Sequence, residues 1–350
     1  MRSRSYIATP PGATIKEQIV DRGMSQKEFA IRMDMSEKHI SKLINGEVIL
    51  TPEMAMRLEM VLGLPAHFWS NLEAIYREKL QLIQEENEMD ADIEIAKKFP
   101  YKEMQKNGWV ENASKEIDKV ISLRKFFEVV KLTMLKEPLI PGIACRRQTI
   151  TEKGDFALLA WAQKAKLDAR KINTKSVDLQ RLEKQLPEIR KMTLLNPEIF
   201  CQNLCDLLSD CGIALVFLPH IGGSFLHGAT FYDKNKIVVG LTVRGKDADK
   251  FWFSLFHELA HILYGHINNP QGTTEDEEKE ADEFAKNTLI SLTDFEEFIN
   301  EGKFDANSMK LFASKINVNV GIVVGRLQKE GYIKYNQYNY LKTKYTIVDE

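Results

Sequence analysis

The run FWFSLFHELAHILYGH, from Phe251 to His266, constrains this chain more than any other stretch. It is apolar on nearly every turn, yet it carries H-E-x-x-H as His257, Glu258 and His261. On a helix, residues at i and i+4 share a face. Both imidazoles can therefore reach one metal ion through neutral nitrogens, at about 2.0–2.1 Å for Zn²⁺. Glu258 sits beside the first imidazole and off the metal. It is placed to take a proton from a metal-bound water whose pKa the cation has lowered. The plainer alternative is a buried helix with two satisfied histidines. In either case Phe, Trp and Leu side chains need a core on one face, while His257, Glu258 and His261 present on another.

A metal site of this kind needs a third ligand from a following helix and an open fourth position. The segment EEKEADEFA offers Glu277, Glu278, Glu280 and Asp282. In zincins with a glutamate third ligand the pattern is E-x-x-x-D/N. Here Glu278-Lys-Glu-Ala-Asp282 resembles it. That match implies Glu278 as the ligand and Asp282, one turn on, as the group that orients an imidazole from behind. Glu280 is the fallback ligand. His227, Tyr264 and His266 are polar candidates for stabilising an oxyanion.

The chain around this helix changes texture near Gly212. GIALVFLPH, GATFYD and KIVVGLTV read as short strands, the last two as a hairpin turning at Asp233 to Asn235. Before Gly212 the pattern is helical. TIKEQIVDRGM reads as a first helix. SQKEFAIRMD opens on Ser25 with Glu28 three residues on, a capping box. SEKHISKLING starts on Ser36, and TPEMAMRLEMVLG starts on Thr51-Pro52 and stops at Gly63. PAHFWSNLEAIYREKLQLIQ is a longer fifth helix, and the acidic run from Glu85 to Glu94 reads as a solvated helix face or linker. The tail FASKINVNVGIVVGRLQKEGYI has the outline of a second small helix-turn-helix, with apolar faces that fit packing on the core.

The second and third helices, joined by MDMS, have the order of a helix-turn-helix. Phe29, Ala30, Ile40, Leu43 and Ile44 supply the apolar crossing. Ser36, Glu37, Lys38, His39, Ser41 and Lys42 lie at the start and on the outer face of the second helix, where base edges are reached. Ser25 and Gln26 open the preceding helix, where backbone N–H groups can hold a phosphate. The formal net charge of −2 gives no long-range attraction to DNA or to an anionic membrane, so any DNA contact must be local. A helical interaction module with no DNA role is the competing reading.

Two resemblances follow from these residues. MSQKEFAIRMDMSEKHISKLINGEVILTPEMAMRLEMVLGLPAHFWSNLEAIYRE is similar to the XRE (Cro/C1-type) helix-turn-helix family, and more narrowly to its HigA antitoxin branch. The resemblance implies a homodimer on double-stranded operator DNA with two-fold-related half-sites. GATFYDKNKIVVGLTVRGKDADKFWFSLFHELAHILYGH, followed by EKEADEFA, resembles the ImmA/IrrE metallopeptidases. That implies a zinc-dependent endopeptidase, one Zn²⁺ per chain, acting on a regulatory protein such as a repressor or an antitoxin partner; the partner is expected to be a protein substrate or a toxin or repressor. The GATFYD strand would hold an extended substrate by strand addition.

The expected architecture is multi-domain: an all-α helix-turn-helix N-terminal domain and an α+β, zincin-like C-terminal domain with a small sheet. The expected boundaries are 10–84 for the DNA-binding domain, 85–150 for a helical connector, 151–300 for the peptidase-like domain and 301–350 for a closing helical segment. Cys201, Cys205 and Cys211 in CQNLCDLLSDCG read as small core residues and Cys145 stands alone. With no disulfide framework, no apolar leader and no run long enough to span a bilayer, the expectation is a reducing, cytoplasmic setting without membrane partners. Three functions remain in play: a regulator that cleaves a partner, an antitoxin-like repressor whose C-terminal domain only docks one, and a zinc sensor.

Overall fold

The computed structural model describes residues 7–136, 152–222, 228–243, 246–269 and 272–347, with side chains from 155 on in the second of these stretches. Cys145 and His227 lie outside the described residues. The chain divides into two compact units, Met1–Ile93 and Glu94–Glu350.

The first unit is helical: α1 (Pro11–Asp21), α2 (Gln26–Arg32), α3 (Glu37–Ile44), α4 (Pro52–Leu62) and α5 (Ala66–Ala96), whose end passes into the second unit. Local chemistry sets most of these boundaries. The Ser25, Ser36 and Thr51 hydroxyls accept from the backbone N–H groups of Glu28, His39 and Met54, each closing an otherwise unpaired first turn. Gly63 ends α4 at φ 77°. Three details differ from the sequence reading. α1 begins at Pro11, three residues before Thr14, because a proline at the first helical position loses no hydrogen bond. At Ser25 the return half of the capping box is replaced: the Glu28 carboxylate pairs with Arg32, at 2.7 Å. α5 continues past Gln84 to Ala96, so that of the two readings of the acidic run it is the helix face and not the linker that holds. Ile15, Phe29, Ile40, Leu43, Leu58 and Trp69 form the buried core, and Ile44 packs against it half-buried.

In the second unit come α6 (Tyr101–Lys106), α7 (Glu116–Phe127), α8 (Glu152–Ala169), α9 (Leu179–Lys191) and α10 (Pro197–Ser209). Then follow β1 (Ile213–Phe217), β2 (Gly228–Asp233), β3 (Lys236–Leu241), α11 (Ala248–Leu263), α12 (Glu275–Leu289), α13 (Leu292–Glu301), α14 (Ala306–Lys315) and α15 (Val320–Lys329). The sheet order is β1-β3-β2, with β1 parallel and β2 antiparallel to β3. The hairpin turns at Lys234 and Asn235, with Lys234 at φ 58°.

Because side chains alternate along a strand, β3 faces two layers. Ile237, Val239 and Leu241 join Ile213, Leu215, Trp252 and Phe256 in the main core. The other face meets α8, close enough that a Cβ on Gly240 would fall 2.6 Å from the Trp161 ring. α11 lies in the main core, with Leu255, Phe256, Leu259 and Ala260 fully buried. Its start is held from the C-terminal tail. Ala248 N–H donates to Thr343 O, Tyr345 N–H donates to Lys246 O, and buried Lys342 pairs with buried Asp249 at 2.8 Å.

α15 is buried on most of its circumference, including Ile322, Val323, Val324, Leu327 and Gln328. It has no face free to read DNA, so the tail packs on the core as its apolar pattern predicts. Arg326 donates to Lys286 O and Ile290 O, closing the C-terminal end of α12. Cys201 and Cys205 are half-buried against the core and Cys211 is buried. All three are free thiols, and burial pushes Cys205 up to about 12. Among the described residues, no helix is long and apolar enough to cross a membrane.

Candidate functional site

α11 and α12 pack against each other and bring three donors together. His257 and His261 point their Nε2 atoms at one spot, 3.0 Å apart. Glu278 faces both, with Oε2 3.4 Å from His257 Nε2 and Oε1 3.5 Å from His261 Nε2. One ligand atom from each residue lies within 4.8 Å of the others. Thr274 caps α12 in a full capping box with Glu277, which turns Glu277 away to the backbone and leaves Glu278 facing inward.

Each donor is held from behind. His257 Nδ1 lies 2.9 Å from Asp282 Oδ1, and the other oxygen of Asp282 accepts from Lys329 at 3.0 Å. Glu278 Oε1 accepts from the Thr273 hydroxyl at 2.6 Å. His261 Nδ1 is 3.0 Å from His266 Nδ1, and His266 Nε2 is 3.3 Å from Glu280 Oε2. Glu258 is buried beside the first imidazole. Its Oε2 accepts from the Thr230 hydroxyl of β2 at 2.6 Å. Gly228 lies so close that a Cβ there would sit 2.8 Å from Glu258 Cγ.

The charges respond to this crowding. Burial opposes a charge on His257, but the Asp282 and Glu278 carboxylates outweigh it and raise the imidazole to about 9. Burial, then the neighbouring His257, lowers His261 to about 4. Burial works against ionised Glu278, but hydrogen bonds from His257 and Thr273 bring it down to about 2. The hydrogen bond with His257 holds Asp282 below the usual carboxylate range against burial, and Lys329 adds to it. A proton on His257 therefore balances the acids. A divalent cation would supply that positive charge to both imidazoles and to Glu278 at once, and a set of two nitrogens and one carboxylate oxygen suits it. The residues present fit a metal.

The other sequence candidates fall as follows. Tyr264 is the C-cap of α11, about half exposed, with its ring against Phe284 and beside His266. In the first unit Ser25 and Ser36 cap their helices, Glu37, Lys38 and Lys42 are exposed, and Gln26, His39 and Ser41 are half-buried. The Nε2 of His39 is shielded from solvent. Sequence reasoning missed Gly228, Thr230, Thr273 and Lys329. Thr230 lies on a strand that reads from sequence, and a polar residue inside that apolar run is the only signal it carries. Lys329 has none, since it reaches Asp282 across 47 residues.

The fold and the site define a class: a helix-turn-helix module joined to a metallopeptidase-type domain. Two family models match accordingly, a helix-turn-helix over residues 15–69 and the IrrE N-terminal-like domain over residues 226–328. The second match contains His257, Glu258, His261 and Glu278. The chain is 38% identical over 63 residues to the uncharacterized HTH-type transcriptional regulator YddM of Escherichia coli (strain K12), covering 18% of this chain and 67% of that protein. This chain belongs to the XRE-type helix-turn-helix regulators and carries an IrrE/ImmA-like peptidase domain at its C-terminal end.

Proposed function

We propose that this chain is a cytoplasmic transcriptional regulator that binds operator DNA through α3 and cleaves a regulatory partner protein at a zinc site in its second unit. The observation that carries the reading is the convergence of His257, His261 and Glu278 with Glu258 beside them. In this reading the three converging residues hold one Zn²⁺ per chain. The bound ion would act as a Lewis acid, activating water and polarising the scissile carbonyl. Glu258 takes the proton from the attacking water and hands it to the leaving amine. Thr230 holds the Glu258 carboxylate in place, and Asp282 orients His257. β2 is the last strand of the sheet among the described residues, and in this reading its outer side takes an extended peptide by strand addition. Tyr264 and His227 are the side chains proposed to steady the oxyanion.

In the first unit, Ser25 and Gln26 sit where a phosphate binds. Ser36, Glu37, Lys38, His39, Ser41 and Lys42 form the α3 face proposed to enter the major groove, as a homodimer on two-fold-related half-sites. The HigA-like stretch favours a toxin or repressor as the protein partner.

The reading is tested in two steps. Purified protein should hold about one zinc per chain, lost in His257→Ala and Glu278→Ala. Glu258→Gln should keep zinc and operator binding while slowing the appearance of new protein N-termini, mapped by mass spectrometry, by about 10²–10⁴-fold. Normal cleavage by Glu258→Gln would overturn the mechanism. The same HigA-like stretch also supports a second reading, an antitoxin-like repressor whose C-terminal domain docks its partner without cutting it. On that reading Glu258→Gln is silent, and deletion of the domain is not.

A further inference from the structure

His266 has no part in the reading above, although it is buried and lies one hydrogen bond from a proposed ligand. It follows the end of α11 directly after Gly265, whose φ of 75° turns the chain back. His261 Nδ1 and His266 Nδ1 are 3.0 Å apart. Where no cation bridges them, two ring nitrogens at that distance cannot both carry protons and cannot both present lone pairs; one donates and the other accepts. The Nε2 of His261 is the atom that faces His257 and Glu278, and a metal donor must offer a lone pair. The proton of neutral His261 is then on Nδ1, and it donates to His266 Nδ1. The proton of His266 is then on Nε2, 3.3 Å from Glu280 Oε2. Each ring has one tautomer, set by the next group outward.

We infer that His266, oriented by Glu280, is the positioning residue for His261: an imidazole relay that fixes the tautomer and ring angle of the second metal ligand. The inference rests on the proposed metal site. It gives the three acids of E-K-E-A-D separate work. Glu278 faces the donors, Asp282 backs His257 and Glu280 backs His266. Glu280 is thereby engaged away from the metal position. The two ligand imidazoles also differ, since His257 leans on a carboxylate and His261 on a second imidazole. Groups in this outer position set metal affinity by about 10–100-fold.

The test is competition for Zn²⁺ between a chromogenic chelator and the full-length chain, as wild type, His266→Leu and His266→Asn. His266→Leu should weaken zinc binding by about 10–100-fold. His266→Asn places an amide oxygen near the lost Nδ1 and should recover most of that loss. Long-range ¹H–¹⁵N spectra of the zinc-loaded wild type should show His261 protonated at Nδ1 and His266 at Nε2, a readout that packing alone does not fix and that stands even if His266→Leu fails to fold. Equal affinity of His266→Leu and wild type, equal losses in the leucine and asparagine variants, or the opposite tautomers would each overturn the inference while leaving the metal site standing. A wild type that takes up no zinc overturns the metal site and this inference together.

Discussion

The two units hold their proposed working residues in different ways. In the first, those residues lie between Ser25 and Lys42 on two short helices joined by a tight turn. Their placement follows from caps and one apolar crossing, all local in sequence. In the second, the residues around the donor cluster run from Gly228 on β2 to Lys329 at the end of α15. The three donors come from the neighbouring helices α11 and α12, but the groups that hold them do not: β2 lies beneath Glu258 and α15 behind Asp282. A module of the first kind depends on its own small core, while a site of the second kind depends on how distant parts are packed.

The largest effect is expected at Phe29. It is fully buried in the core of the first unit, and Phe29→Ala should cost about 3–5 kcal/mol. Chemical denaturation should show the loss in the first unit, and zinc uptake by the second should be unchanged. A parallel loss of metal binding would mean the two units do not act separately. Gly228→Ala probes the other kind of dependence. The new Cβ would press on Glu258 from β2, and such overpacking costs about 1–3 kcal/mol. Zinc should still bind, because His257, His261 and Glu278 are untouched, while the second unit melts earlier.

Smaller effects sharpen the contrast. Ser36→Ala removes the cap of α3 and should cost about 1 kcal/mol, seen as weaker operator binding with the second unit's melting unchanged. A further test is the response of zinc-stripped protein to acid. Glu278 is brought down to about 2 and Asp282 is also lowered, each with His257 as the partner. A depressed carboxylate gives stability that is present above its unfolded pKa, near 4, and is lost as pH falls through the folded value. The second unit's melting temperature should therefore drop between about pH 4 and pH 2, and Glu278→Gln should flatten that drop. An unaltered slope in the variant would place the acid response elsewhere.

Much of this was legible in the sequence because it rests on short-range rules. Ser36, Thr51 with Pro52, and Gly63 mark helix ends through hydrogen bonds that their own turns lack. The spacing of His257 and His261 puts two imidazoles on one face of any helix, and the short apolar runs GATFYD and KIVVGLTV, broken at Lys234 and Asn235, pair as a hairpin. Other features have no such rule behind them. Glu28 satisfies a capping-box pattern in sequence but pairs with Arg32 instead, because two favourable partners compete for one carboxylate.

What the sequence by itself determined is the identity of the elements and the two motifs they carry, since caps, periodicity and i, i+4 spacing act within a few residues. The E-x-x-x-D pattern already pointed to Glu278 and Asp282, and the tertiary structure alone decided which imidazole Asp282 lies behind and that Glu280 meets His266. It also placed Thr230 beneath Glu258 and Lys329 behind Asp282. The reason is geometric. One helix turn presents several carboxylates in different directions, and only the packing of α11, β2 and α15 around it fixes which direction each partner occupies.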